Sequence, residues 1–433
     1  MRVLFLCEYF PPENKIGAVR PSRVAKYLGR KEDLDITVVC ARPHGIECPA
    51  TEEIYPGVRV IRIEKSKLAG LMYRKKRGGT KSSSAATSNG QRSVSLKSRL
   101  KGSIISTLFR LRIELERDGL YRDARKLIKN EAFDVVISTF NTEFGHTVAK
   151  DYKAKHPSTK WIADFRDPTV SDWLSDNEKN RLRTFAQETA RRCDAITVVA
   201  QGILDVHEKD FAGTPCYVIP NGYDPEDRVE CPAPNDGMFR LVYTGELYNG
   251  RRDITPVFRA LAELSEDGKV DLTRVEVVYV GKSGAVFAQQ AQKYSYVKSS
   301  NRGFVPHAEA MKLQSQSQIL LLSSWCTPQD KHTLTGKFFE YLSAGKPIVC
   351  TISGDGSGSA LSEMIAKHKL GVCCEQAEPQ DYLKLRDYLE LQYRAFAENG
   401  VCEHRPDMDY INDFSYENIA ERFYSLICGG NGT

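Results

Sequence analysis

Two short apolar runs, residues 319–322 and 348–350, flank a single helical segment, and this arrangement restricts the chain more than any other stretch. Each run is short and uniformly apolar, as expected of a strand buried on both faces. Between them a polar loop, residues 323–335, leads into Gly336-Lys337-Phe338-Phe339-Glu340-Tyr341-Leu342. That reads as a helix closed by Gly345, because glycine suits the left-handed position just past a helix end. Strand, loop, helix, strand is a parallel crossover unit. In such sheets ligands sit at the carboxyl ends of the strands, where helix N-termini point. Thr335, Gly336 and Lys337 fall at that place. Backbone N–H groups and the positive helix end suit an anionic ligand such as a diphosphate. Glu340, one turn further in, offers a carboxylate to a ribose diol. Taken alone, Lys337 and Glu340 read equally well as a solvated i,i+3 pair.

The rest of the chain repeats the pattern. An apolar run at 3–7 is followed by a helix pattern carrying Val19, Val24, Tyr27 and Leu28, then by strands at 36–40 and 58–63. After an interruption, a helix at 111–129 and strands at 134–138 and 194–199 resume it. Strands alternating with helices predict an α/β protein with doubly wound parallel sheets. At 433 residues the chain exceeds what one core supports, so two domains are expected, with the proline- and acid-rich stretch 225–237 as linker. No Gly-x-Gly-x-x-Gly follows the first strand, so a nicotinamide dinucleotide fold is unsupported. No apolar run is long enough to cross a bilayer, and the N-terminal run is too short for a signal-peptide core. Twelve scattered cysteines, several in strand-like runs and none in a Cys-x-x-Cys, predict reduced thiols in a cytoplasmic protein.

The segment from Gly336 to Pro347 resembles the donor-site block of the retaining GT-B-fold glycosyltransferases, which include many bacterial mannosyl-, glucosyl- and N-acetylglucosaminyltransferases. Glu340 matches the second of that family's two glutamates; the first position, eight residues earlier, holds His332. Pro220-Asn221-Gly222-Tyr223-Asp224 is similar to the phrase at the family's domain junction. Gly17, after the Pro11-Pro12 loop, resembles the glycine that approaches the donor phosphates, and Arg302-Gly303-Phe304-Val305 the segment whose backbone meets the nucleobase. The phrase opening at Phe414-Ser415 looks like the start of the terminal helix, with Ser415 as N-cap. The resemblance implies two Rossmann-like domains facing a cleft: residues 1–224 for the acceptor, 238–408 for a nucleotide-diphosphate sugar, and 409–433 crossing back to the first domain. It also implies transfer with retention and without metal, to a saccharide or lipid-linked acceptor in surface polysaccharide assembly. An epimerase of the same fold and a non-catalytic nucleotide-sugar-binding subunit are the alternatives.

Transfer from a nucleotide sugar requires the leaving diphosphate to be neutralised, by a metal or by fixed cations. Two Asp-x-Asp triplets exist, Asp33 to Asp35 and Asp407 to Asp409, but the first leads into a strand and the second lies in the tail. Arg251 or Arg252, after Gly245, and Lys337 are the expected cations, so no metal and no cofactor is assigned. On the acceptor side Asp164, Arg166 and Asp167 end a strand. Asp164 and Asp167 are candidates to hold the acceptor hydroxyl or take its proton, with His146 a third; an Asp–Arg pair fixing the loop explains the same residues. Asn141 and Glu143 lie in a loop directed to the same place.

Net charge is +5, yet residues 65–112 hold 13 Lys and Arg and no acid, leaving −8 for the remainder. Leu96, Leu100, Ile104 and Leu108 recur every four residues there, with cations beside them. A basic amphipathic helix lying on an anionic membrane surface is one reading, and a core-packed helix after a basic loop is the other. Tyr73 and Phe109 are the only aromatics in the block, which disfavours nucleic acid.

Overall fold

A computed structural model describes residues 1–13, 15–43, 46–64, 119–170, 174–328, 331–332 and 334–430. The basic block at 65–112, with its expected amphipathic helix, lies outside the described residues, as does the 111–118 part of the helix expected at 111–129. The described remainder of that helix spans 119–128. The chain divides into two compact units. One combines Met1–Val199, Ile203–Ile219 and Ala420–Thr433; the other combines Ala200–Gly202 with Pro220–Ile419.

Among its described residues the first unit has eight strands: β1 (Arg2–Leu6), β2 (Asp35–Ala41), β3 (Thr51–Tyr55), β4 (Val58–Ile63), β5 (Val135–Phe140), β6 (Lys160–Phe165), β7 (Ala195–Val198) and β8 (Cys216–Val218). Their spatial order is β3-β4-β2-β1-β5-β6-β7-β8. All neighbours are parallel except β3, which runs antiparallel to β4. β3 was not among the expected strands. Its sequence, Thr-Glu-Glu-Ile-Tyr, is half exposed and carries edge charges instead of a buried run. The inner strands are the continuous apolar runs that burial on both faces demands. From Ala420 the C-terminal residues return to this unit, where Tyr424 donates to Asp33 Oδ2 at 2.9 Å and Phe423 packs under the Arg20 guanidinium at 5.4 Å.

The second unit holds six parallel strands: β9 (Phe239–Thr244), β10 (Val275–Val280), β11 (Ser299–Asn301), β12 (Ile319–Trp325), β13 (Ile348–Ser353) and β14 (Gly371–Glu375), ordered β11-β10-β9-β12-β13-β14. The crossover that opened the sequence reading is present. β12 pairs with β13 from Leu320↔Ile348 to Trp325↔Ser353, and the Gly336–Ala344 helix connects them. Gly345 ends that helix at φ 61°, ψ 31°, as glycine permits. Phe338, Phe339 and Leu342 are buried against β9, β12 and β13. Each buried aromatic or aliphatic side chain contributes about 1.5–3 kcal/mol, which holds Lys337 and Glu340 on the opposite, accessible face. Among the described residues no helix is long and apolar enough to cross a membrane.

Candidate functional site

In the second unit the carboxyl ends of β9 and β10 meet closely. Gly245 follows β9 at φ 137°, a conformation that L side chains rarely adopt. A Cβ on Gly281 would come within 2.1 Å of the Gly245 carbonyl, and the same carbonyl accepts from Tyr279 OH at 2.8 Å. Only glycines let the two strand ends approach this far. The Lys337 stem passes the same point, with Cγ 3.9 Å from where a Gly245 Cβ would stand.

The Gly336–Ala344 helix begins there without a cap. Thr335 occupies the N-cap position, its side chain makes no cap bond, and no acid lies in the first turn. Thr335 Oγ1 is buried with no hydrogen-bond partner. The unsatisfied donors and the positive end of the helix dipole therefore remain for an anion. Lys337 Nζ bonds Glu340 Oε1 at 2.7 Å, with both side chains partly exposed. The same Oε1 accepts from Gln314 Nε2, which also donates to Thr244 Oγ1 at 2.9 Å. Gln314 is fully buried and ties Glu340 to the end of β9. Tyr341 OH accepts from the Thr244 N–H at 2.9 Å and donates to the Leu321 carbonyl at 3.1 Å, fixing the helix to β9 and β12.

The loop after Gly245 supplies further positive charge. Tyr248, Asn249 and Gly250 have φ of 44°, 54° and 88°. Left-handed backbone at a non-glycine residue costs on the order of 1–3 kcal/mol and concentrates at functional loops. Packing maintains it: Tyr248 meets Trp325 edge-on at 5.6 Å, and the Arg252 guanidinium lies 4.5 Å from the Tyr248 ring and 5.4 Å from Trp325. Arg252 is 9% exposed and its Nε has no partner. Arg251 is exposed, 5.8 Å from the Trp325 ring. Near the end of β10, Lys282 Nζ stands 4.8 Å over Phe304, which is 70% exposed. The Val305 side chain packs against the apolar cluster of Phe338 and Leu342; the expectation for this segment concerns its backbone. His332 is exposed. Thus Gly245, Lys337 and Glu340 come together on one rim, with Thr335 and Gly336 at the helix start and Arg252 in the loop after Gly245.

The acceptor-side expectations fare differently. Asp164 is 2% exposed, and its partner is not Arg166 but Arg20, itself 2% exposed. Arg20 Nε and Nη2 reach Asp164 at 2.9–3.2 Å, Thr197 Oγ1 donates to Asp164 Oδ1 at 2.8 Å, and Arg20 Nη2 also bonds the Ile219 carbonyl at 2.9 Å. A carboxylate so enclosed has no face left for a substrate hydroxyl, which corrects its assignment as a catalytic group. Arg166 donates to the Gly17 carbonyl at 2.8 Å. A Cβ on Gly17 would meet Asn141 Nδ2 at 2.4 Å, so Gly17, Asn141 and Arg166 do converge. Glu143 pairs with Arg181 at 2.6 Å. Asp167 is exposed.

His146 also needs correction. It is fully buried, with Phe165 at 4.6 Å, Phe140 at 5.8 Å and Phe185 at 6.2 Å between ring centres. Its Nδ1 meets Ser138 Oγ at 2.7 Å, and Ser138 Oγ accepts from Trp161 Nε1 at 2.7 Å. Burial lowers its pKa to about 3. It is a neutral core histidine.

Among the described residues no group of three or more His, Cys, Asp or Glu could hold a metal ion. Of the two triplets, Asp33 accepts from Tyr424, and Asp407 caps the Met408–Asn412 helix while bonding His368 Nδ1 at 2.9 Å. The sequence reading missed Arg20, Gln314, Tyr248, Trp325 and Phe304. Only Phe304 carried a signal, an aromatic inside the quoted Arg302–Val305 phrase.

No protein-family model and no curated protein matches the sequence. Solved structures do match. The chain is similar to a UDP-forming α,α-trehalose-phosphate synthase from Burkholderia vietnamiensis, with 11% identity and TM-score 0.58 over 99% of this chain and 100% of that one. It is similar to WaaG, a glycosyltransferase involved in lipopolysaccharide biosynthesis, with 14% identity and TM-score 0.52 over 99% and 100%. It is also similar to the UDP-GlcNAc 2-epimerase of Methanocaldococcus jannaschii, with 10% identity and TM-score 0.50 over 99% and 100%. At these identities the likeness establishes the fold, that of GT-B proteins.

Proposed function

We propose that this protein is a glycosyltransferase that moves a sugar from a nucleotide-diphosphate sugar to a saccharide or lipid-linked saccharide. The observation that carries this reading is the Lys337–Glu340 pair, 2.7 Å apart, at an uncapped helix start beside two glycine-lined strand ends. Lys337, Arg252 and the first-turn N–H groups supply positive charge to a diphosphate, and Glu340 supplies acceptor oxygens to a ribose diol. In the ligand-free protein Lys337 and Glu340 neutralise each other. On binding, Lys337 turns to the phosphates and Glu340 to the sugar hydroxyls. The cations then offset the charge that grows on the leaving diphosphate as the glycosidic bond breaks, an effect strengthened where water is excluded. Phe304, beside Lys282, offers a ring face to the base.

On the first unit, Asp167 is the exposed carboxylate at the end of β6, and it takes the place first given to Asp164 as the group beside the acceptor hydroxyl. Retention at the anomeric carbon and turnover without a divalent ion follow the motif resemblance. The structural likeness to WaaG and the basic block support a lipid-linked acceptor at the cytoplasmic face of a membrane, in surface polysaccharide assembly.

Calorimetry with UDP, GDP and ADP on wild type and Glu340→Ala tests the site. One of them should bind the wild type and lose about tenfold or more in the variant; equal affinity would remove Glu340 from the site. NMR of the products decides the reaction. A new glycoside is expected, whereas free epimerised nucleotide sugar would make the protein an epimerase, and an unchanged donor would make it a binding subunit. Turnover that vanishes in EDTA and returns with Mg²⁺ would overturn the metal-free reading.

A further inference from the structure

The Gly336–Ala344 helix has a second functional end. Lys337 lies in its first turn and Glu340 at its middle; Ser343, about 9 Å along the axis from Lys337, lines a cavity of about 510 Å³ within the same unit. This volume falls in the range of small-molecule sites, about 300–1,000 Å³. Ser343 lines the cavity and is 5% exposed, yet its Oγ has no hydrogen-bond partner. A buried hydroxyl left unpaired costs about 1–3 kcal/mol, and Ser343 Oγ lies in the cavity wall with under 1 Å² of its own surface open, so a ligand atom reaches it once the side chain rotates. Gly345 adds open space: a Cβ there would touch nothing within 4 Å.

The lining differs from the candidate nucleotide site in charge. Arg228 and Glu417 contribute one cation and one carboxylate. His404 is neutral at pH 7, since burial and the nearby Lys346 lower its pKa to about 4. With Arg228 offset by Glu417 and His404 neutral, the lining residues themselves carry no net charge. The exposed amides of Asn412 and Asn418 add neutral donors and acceptors, Asn418 Nδ2 giving one of its hydrogens to the Asn412 carbonyl at 2.9 Å. Met408 supplies exposed apolar surface on which the C–H face of a ring can lie, backed by the buried Leu342 and Ile411. Neutral hydrogen-bonding groups beside an apolar wall recognise a polyhydroxylated ring.

We propose that this cavity is a second binding site, for a neutral saccharide of one or two rings, distinct from the nucleotide site at the other end of the same helix. It stands on the Ser343 hydroxyl, the amide pair and the apolar wall, and does not require the nucleotide reading.

Saturation-transfer NMR on the full chain tests it, with maltose, methyl α-mannoside and N-acetylglucosamine at millimolar concentration, and with glucose 6-phosphate and inorganic phosphate as charged comparators. Whichever of UDP, GDP and ADP binds the wild type in the calorimetry is present in excess to keep the nucleotide site occupied. At least one neutral sugar should bind, and affinity should fall about tenfold or more in Ser343→Val and in Met408→Trp. Met408 is 51% exposed at the rim, so that variant decides the matter if Ser343→Val does not fold. Glu340→Ala should leave sugar binding unchanged. The proposal is overturned if no neutral sugar binds, if only the phosphates bind, if both cavity variants bind as wild type, or if Glu340→Ala abolishes the signal. Failure here leaves the nucleotide calorimetry untouched, so the two readings are separately decided.

Discussion

Arg20 and Asp164, 144 residues apart in the chain, form a buried fork: Nη2 lies 2.9 Å from Oδ1 and Nε 3.0 Å from Oδ2. The pair joins the Ile16–Leu28 helix to β6, and through the Ile219 carbonyl to the end of the first unit's sheet. Phe423 closes it on one side.

Asp164→Asn should therefore act on stability. It takes the charge from the carboxylate that faces Arg20, and breaking a buried pair from one side costs about 3–5 kcal/mol. Urea unfolding of the variant should show a clearly lower midpoint. An unchanged midpoint, with transfer lost, would restore Asp164 as a group that touches substrate.

The two loop arginines should separate. Arg252 is buried against Tyr248 and Trp325, whereas Arg251 is exposed. Lysine cannot reproduce a planar guanidinium stacked on rings. Arg252→Lys should weaken binding of the preferred nucleoside diphosphate by about tenfold, and Arg251→Ala by less. Isothermal calorimetry reads both, and the reverse order would assign the diphosphate to Arg251.

His146 should give acid sensitivity. Burial holds its folded pKa at about 3, while in the unfolded chain it lies near 6.5. Between these values the unfolded state takes up a proton that the folded state refuses, so stability is full above about pH 6.5 and falls as pH drops toward 3. The loss from this one group is about 1.4 kcal/mol per pH unit. His146→Gln, which does not titrate, should show a shallower decline in unfolding free energy between pH 6.5 and 4. Parallel declines would mean that the imidazole titrates alike in both states.

The basic block predicts attachment to anionic membranes. Each cation near such a surface contributes on the order of 1 kcal/mol. Vesicles containing phosphatidylserine should sediment the protein at low salt and release it at high salt. Changing Arg74, Lys75, Lys76, Arg77 and Lys81 to Gln should weaken the binding strongly. Equal sedimentation with neutral and anionic vesicles, or none with either, would discard the membrane role.

Some of this was legible in the chain. Continuous apolar runs alternating with helices determined the parallel sheets, because burial on both faces leaves a local mark on every inner strand. The Gly336–Ala344 helix was legible too, from its apolar pattern and the glycine that ends it, both properties of neighbouring residues. Other features had no local mark. The β3 edge strand was missed because an exposed strand does not need an apolar run. Nothing near Asp164 in sequence announced Arg20; which charge meets it depends on the order of β1, β5 and β6 and on the helix laid across them. His146 read as one candidate base until β5, β6 and the Asp176–Ala190 helix surrounded it with Phe140, Phe165 and Phe185. The sequence by itself determined the buried strands and the helices between them, since an apolar run and its periodicity are local. Only the tertiary structure decided which polar groups face solvent and which face each other, since burial and pairing are set by residues that the chain keeps far apart.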